Sequence, residues 1–153
     1  MITLNSVRTI MPPAMSRKLG EGIAVFDIEE SVEGEVHHVT TPQEVIELTK
    51  EDLSDVIGLV RAGTSAFASP LLANDVHGLI TMEGAPSSHL GIVSREYDIP
   101  CIMSLEPEDG LVDATTGSDE FFEEWGTLLD GQTISMESVN EGAGNPRGEV
   151  YEG

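Results

Sequence analysis

Thr81-Met82-Glu83-Gly84-Ala85-Pro86-Ser87-Ser88-His89-Leu90-Gly91-Ile92-Val93-Ser94-Arg95 is the stretch around which the chain can be read. The run Gly78-Leu79-Ile80-Thr81 reads as a strand, and Glu83-Gly84-Ala85-Pro86 breaks it. Two hydroxyl residues follow, then His89, and a helix is expected from Ser87 or Ser88 to about Tyr97. His89 therefore falls in the first turn of a helix. Amides there lack intrahelical partners and the helix dipole is positive, so the position favours an anion. A neutral imidazole nitrogen is nucleophilic near neutral pH, and a phosphoryl group taken up on it would sit in that anion site. Ser87 and Ser88 can donate hydroxyls to such a group or cap the helix. A lone histidine would more simply be a helix-start residue with a satisfied ring. The whole segment is what favours chemistry.

Outward from this stretch, short apolar runs alternate with breaks marked by Gly and Pro. Ile23-Ala24-Val25-Phe26 reads as a strand, Glu35 to Val39 as a weaker one. Thr41-Pro42-Gln43-Glu44 starts a helix running to about Lys50: Thr41 caps, Pro42 fits the first position and Glu44 completes a capping box. Val56-Ile57-Gly58-Leu59-Val60 is apolar enough for a strand buried on both faces. Ser69-Pro70 opens a short helix through Leu71, Leu72 and Ala73, and Ile99 to Met103 is the next strand. Glu106 to Gly117 is acidic and rich in turn residues. Ser118-Asp119-Glu120 then starts a helix whose Phe121, Phe122, Trp125, Leu128 and Leu129 recur at core-facing spacing. Thr133 to Val139 alternates like a strand, Asn140 to Arg147 reads as a loop, and Glu149-Val150-Tyr151 as a final edge strand. The expectation is one mixed α/β domain over residues 1–153.

The segment around His89 resembles the active-site signature of the phosphoenolpyruvate-utilising enzyme mobile domain. That pattern runs Thr-x-x-Gly-Gly-x-Thr-Ser-His-x-Ala-Ile-x-Ala-Arg, followed by a Gly-Ile-Pro-like stretch. Thr81, Gly84, Ser88, His89, Ile92 and Arg95 match in place, and Ile99-Pro100-Cys101-Ile102 matches the strand that follows. Ala85 stands at the second glycine, Ser87 keeps the hydroxyl of a threonine, and Gly91 and Ser94 keep side chains small where alanines are usual. Weaker likeness extends to Gly20–Ala24, Val56–Ala62, Asp130–Ile134 and Gly148–Tyr151, while 106–129 reads as an insertion.

The resemblance implies a swivelling three-layer β/β/α phosphohistidine domain. It implies His89 as the catalytic residue, modified on the nitrogen remote from the backbone, with Thr81, Gly84, Ser87, Ser88 and Arg95 supporting the phosphate. It also implies that Mg and ATP or phosphoenolpyruvate belong to other subunits, with no cofactor or metal in this chain. The histidine would relay a phosphoryl group between an ATP-grasp nucleotide-binding subunit and a phosphoenolpyruvate/pyruvate-binding subunit, both met in trans. The rival expectation is a non-catalytic binding or assembly subunit that keeps the fold.

The remaining candidates carry less. Arg95 lies six positions after His89, off its helical face, and fits a helix-end contact as well as a phosphate. His37 and His38 are neighbours on a strand, pointing to opposite faces, so they do not share an ion. His77 precedes a strand and reads as structural. Glu83 is placed either to orient the His89 ring or as a turn acid. Cys101, the one cysteine, lies in an apolar run and reads as a buried thiol.

Composition bounds the classes. In 153 residues, 39% hydrophobic, the chain carries 28 acidic against 7 basic residues, for a net charge of -21. Such a surface repels phosphate backbones and anionic membranes, so neither nucleic acid nor membrane is an expected partner. The acids are spread along the chain, as in adaptation to high salt. Met1-Ile2-Thr3-Leu4-Asn5 lacks the basic and apolar pattern of a signal peptide, and the cytoplasm is the expected location.

Overall fold

The computed structural model describes residues 16–140 and 142–153. The stretch read for a leader, Met1–Asn5, lies outside them, as does Glu141 in the loop 140–147. Seven strands are present among the described residues: β1 (Lys18–Ala24), β2 (Val32–His38), β3 (Val56–Ala62), β4 (Gly78–Glu83), β5 (Cys101–Pro107), β6 (Thr133–Val139) and β7 (Arg147–Glu152). The helices are α1 (Pro42–Leu48), α2 (Ser69–Ala73), α3 (His89–Tyr97) and α4 (Asp119–Leu129), with a 3₁₀ turn at Ala66–Ala68.

The strands close into a barrel in the order β1-β5-β4-β3-β2-β6-β7. This corrects the expected three-layer β/β/α arrangement. Layers need sheets with edges, and here β1 pairs antiparallel with both β5 and β7, so no edge remains. β7 is accordingly an interior strand, hydrogen-bonded to β6 on its other side, rather than the expected edge. β2, β3, β4 and β5 run parallel to one another, and the β6–β7 hairpin and β1 complete the circle antiparallel.

β3, β4 and β5 are covered on both sides, which is why they read as near-continuous apolar runs, whereas β2 leaves Glu33 and Glu35 exposed. On β3, Ile57 and Leu59 point into one core while Val56 and Val60 point into the other. On β4, Ile80 and Met82 oppose Leu79. On β5, Ile102 and Leu105 oppose Cys101 and Met103. The first core is sealed by α4, whose Phe121, Phe122, Trp125 and Leu129 are buried there, with Trp125 Nε1 donating to the Leu105 carbonyl at 3.0 Å. The second lies beneath α1, α2 and α3 and includes Val45, Leu48, Leu71, Leu72 and Leu90. Burial holds the Cys101 thiol far from reactivity, pushed up to about 12.

The helix starts follow the cap chemistry. Thr41 Oγ1 accepts from the Glu44 amide at 3.2 Å, and Ser118 Oγ from the Phe121 amide at 3.1 Å. Glu44 does not complete the reciprocal box on Thr41. Its carboxylate takes the amide and hydroxyl of Thr40 instead, at 2.8 and 2.7 Å, and these bonds hold its pKa below the usual carboxylate value.

Candidate functional site

His89 is the first residue of α3 and its side chain is exposed. The turn that delivers it, 84–88, is fixed from two neighbouring strands. Gly84 sits at φ +107, a conformation side chains resist, and a Cβ there would lie 3.0 Å from the Gly63 nitrogen. The Gly63 amide donates to the Glu83 carbonyl at 3.1 Å, and the Gly63 carbonyl receives the Leu90 amide at 3.1 Å. The loop after β3 thus ties both the end of β4 and the first turn of α3. From β5, Ser104 donates its hydroxyl to the Gly84 carbonyl, and Ser104 itself sits at φ +54. Gly91 packs directly on the turn: a Cβ would lie 2.3 Å from the Pro86 carbonyl oxygen. The small residue expected at that helical position is therefore demanded by the turn before the helix.

Ser88 is the N-cap residue, but its side chain makes no capping bond. Its hydroxyl faces Met103 Sδ at 3.7 Å, and its amide closes the turn onto the Ala85 carbonyl at 2.8 Å. With the Leu90 amide taken by Gly63, the His89 and Gly91 amides are the first-turn donors without a backbone partner among the described residues. Unpaired first-turn amides are the groups by which a helix start attracts an anion.

The His89 ring is positioned by a residue the sequence did not single out for chemistry. Ser69 Oγ lies 2.9 Å from His89 Nε2, the nitrogen remote from the backbone. Ser69 opens α2 directly after the 3₁₀ turn, so packing of α2 against α3 brings the hydroxyl to the imidazole. Its only sequence signal is a serine before a proline at a helix start, which by itself reads as local chain geometry.

The other expected residues spread around this pair. Ser87 is exposed in the turn. Thr81 is fully buried, its hydroxyl donating to the Glu83 carbonyl at 2.7 Å, so it shapes the end of β4. Arg95 Nη2 donates to the Val25 carbonyl at 3.1 Å, at the far end of α3. Glu83 does not meet the imidazole. It accepts from Arg61 Nε at 2.9 Å, while Arg61 Nη1 reaches Asp119 at 3.0 Å and the guanidinium lies 4.3 Å from the centre of the Phe122 ring. His37 pairs with Glu35 at 2.9 Å. The His38 ring packs against Gly126, where a Cβ would stand 2.4 Å from its Cε1.

An exposed imidazole, two uncommitted amides and a hydroxyl on the ring nitrogen form a site suited to covalent capture of an anionic group. Residues 54–138 match the family model described as PEP-utilising enzyme, mobile domain. No curated protein matches the chain.

Proposed function

The chain belongs to the phosphoenolpyruvate-utilising enzyme mobile-domain family, and we propose that within it His89 is the phosphoryl carrier. The observation that carries this reading is the exposed His89 imidazole at the start of α3 with Nε2 held by Ser69 at 2.9 Å.

In the proposed step the Nε2 lone pair forms a bond to phosphorus. The donor's P–O bond breaks, and its electron pair leaves with the departing oxygen. The Ser69 hydroxyl first turns off Nε2 and then donates to a phosphoryl oxygen. The His89 and Gly91 amides receive the remaining negative charge. Ser87, exposed in the same turn, is proposed to add a hydroxyl. The reverse sequence delivers the group to an acceptor and restores the imidazole.

The donor and acceptor are proposed to sit on partner subunits met in trans. One is an ATP-grasp nucleotide-binding subunit and the other a phosphoenolpyruvate/pyruvate-binding subunit, with Mg bound on those partners. The acidic surface suits a cell interior rich in salt, where self-repulsion is screened.

The test is incubation with labelled ATP or phosphoenolpyruvate in high salt, with cell extract as the source of partners. Wild type acquires acid-labile label and His89→Ala acquires none. Absence of label from folded wild type with every donor would instead support an assembly subunit.

A further inference from the structure

Among the described residues, Ser104 is the one non-glycine residue inside a strand whose backbone is left-handed, at φ +54. Asp75 and Asp98 share that conformation, but at helix ends, where a short polar side chain adopts it readily. In β5 it marks a bulge. Glu21 of β1 pairs with Glu106 and Ile23 pairs with Met103, so Gly22 faces two residues, Ser104 and Leu105. Gly22 permits that close approach, since a Cβ there would run into the Met103 carbonyl. The bulge changes where Ser104 points. Consecutive strand residues face opposite sides of a sheet. Met103 points into the core beneath α3, where its Sδ lies 3.7 Å from the Ser88 hydroxyl. A regular strand would therefore aim Ser104 away from the turn 84–88. The left-handed φ turns it back, and its hydroxyl donates to the Gly84 carbonyl.

We propose that Ser104 is a positioning residue for phosphoryl transfer: from the bulge it pins the Gly84 carbonyl and so sets the turn that presents His89 and its first-turn amides. The inference rests on the carrier reading above. Gly84, at φ +107, has no side chain to restrict its two peptide planes. The Gly63 amide holds the plane before it, through the Glu83 carbonyl at 3.1 Å, and the Ser104 hydroxyl holds the plane after it. The next bond in the turn, from the Ser88 amide to the Ala85 carbonyl at 2.8 Å, depends on that second plane. Glycine would take the same φ at position 104 without strain, so serine there lowers stability. Strained backbone of this kind collects at functional segments, and bulges re-aim side chains beside them. The hydroxyl on Gly84 is what the strained position supplies.

The experiment separates the hydroxyl from the strain. Ser104→Gly and Ser104→Ala both remove the hydroxyl, but only alanine keeps a Cβ at positive φ. Ser104→Thr keeps the hydroxyl and, being β-branched, adds strain. Initial rates of acid-labile loading from labelled phosphoramidate, a small donor that needs no partner, are compared beside thermal midpoints. Ser104→Gly should melt about 3 °C above Ser104→Ala. Both should nevertheless load about fivefold more slowly than wild type, the effect of one lost hydrogen bond. Ser104→Thr should melt below wild type yet load at the wild-type rate. Exchange of the Ser88 amide should quicken in the glycine and alanine variants and stay slow with threonine. If the threonine variant does not fold, the glycine and alanine pair still decides. Loading that follows the melting order, with Ser104→Gly as fast as wild type, would make Ser104 merely structural and overturn the proposal. Wild-type rates in both of that pair would overturn it too. If wild type takes label neither from phosphoramidate nor from ATP or phosphoenolpyruvate with cell extract, the carrier reading falls, and the part of Ser104 in transfer with it. Exchange at Ser88 would then still report whether Ser104 holds the turn.

Discussion

Ser69 Oγ lies 2.9 Å from His89 Nε2, so one hydroxyl bears on which ring nitrogen holds the proton. When the hydroxyl donates to Nε2, the proton sits on Nδ1, and the nitrogen remote from the backbone keeps the lone pair that attacks phosphorus. Ser69→Ala removes that bias and a donor for the phosphoryl oxygens. The expected result is loading slowed about tenfold, the equivalent of one hydrogen bond to a charged group at roughly 1.5 kcal/mol. The ¹⁵N shifts of the His89 ring should move toward a tautomer mixture. Unchanged shifts would mean the contact does not set the tautomer. Much of the local geometry was legible in the sequence: His89 opens a helix, Gly84 takes a positive φ and position 91 holds a small residue. Ser69 was not, because its contact spans twenty residues of chain and is made only when α2 packs on α3.

At the scale of elements, α4 shows how little local pattern says about docking geometry. Its apolar spacing announced a buried face, and Ser118 announced its start. That Trp125 would reach the Leu105 carbonyl across the first core follows only from where β5 lies. Trp125→Ala empties a fully buried site and orphans that carbonyl, and a loss of about 3–5 kcal/mol is expected from chemical unfolding. A loss under 1 kcal/mol would show that α4 does not seal the core. The contact between α4 and β2 also titrates. Burial against Gly126 lowers the His38 pKa below 6.5, outweighing the opposite pull of Asp130 and Glu44. As pH falls, the unfolded chain takes up this proton first. Stability from the buried neutral ring is therefore full above about pH 6.5 and is lost as pH drops through the lower folded value. His38→Gln should flatten the dependence of the urea midpoint on pH between about 7.5 and 5.5. An unaltered slope would place the titration elsewhere.

For the whole molecule, the closed barrel was the part the sequence concealed. β3, β4 and β5 could be read from their apolar runs and β2 only weakly, but pairing is a long-range property. Nothing within Lys18–Ala24 says that it hydrogen-bonds both β5 and β7 and so abolishes the edges a layered sandwich would have. Net charge, by contrast, is read directly from composition, and its consequence is global. Seven basic residues face 28 acidic ones, and several of the basic ones are already paired, as Arg61 is with Glu83 and Asp119. The remaining carboxylates repel one another in the compact state. Raising sodium chloride from dilute to molar should lift the thermal midpoint by about 3 °C, as screening of this repulsion contributes ~1 kcal/mol. A midpoint that stays level or falls would mean that the paired charges outweigh the unpaired ones.

The central claim, that His89 carries phosphate on Nε2, is tested most directly by nuclear magnetic resonance of the loaded protein. Phosphorus and ¹⁵N-histidine spectra would be recorded after partner-driven loading, then again after brief acidification. A single acid-labile phosphorus signal, coupled to Nε2 of His89 and absent from His89→Ala, is the predicted result. An acid-stable signal on a serine hydroxyl, or phosphate retained in His89→Ala, would contradict it.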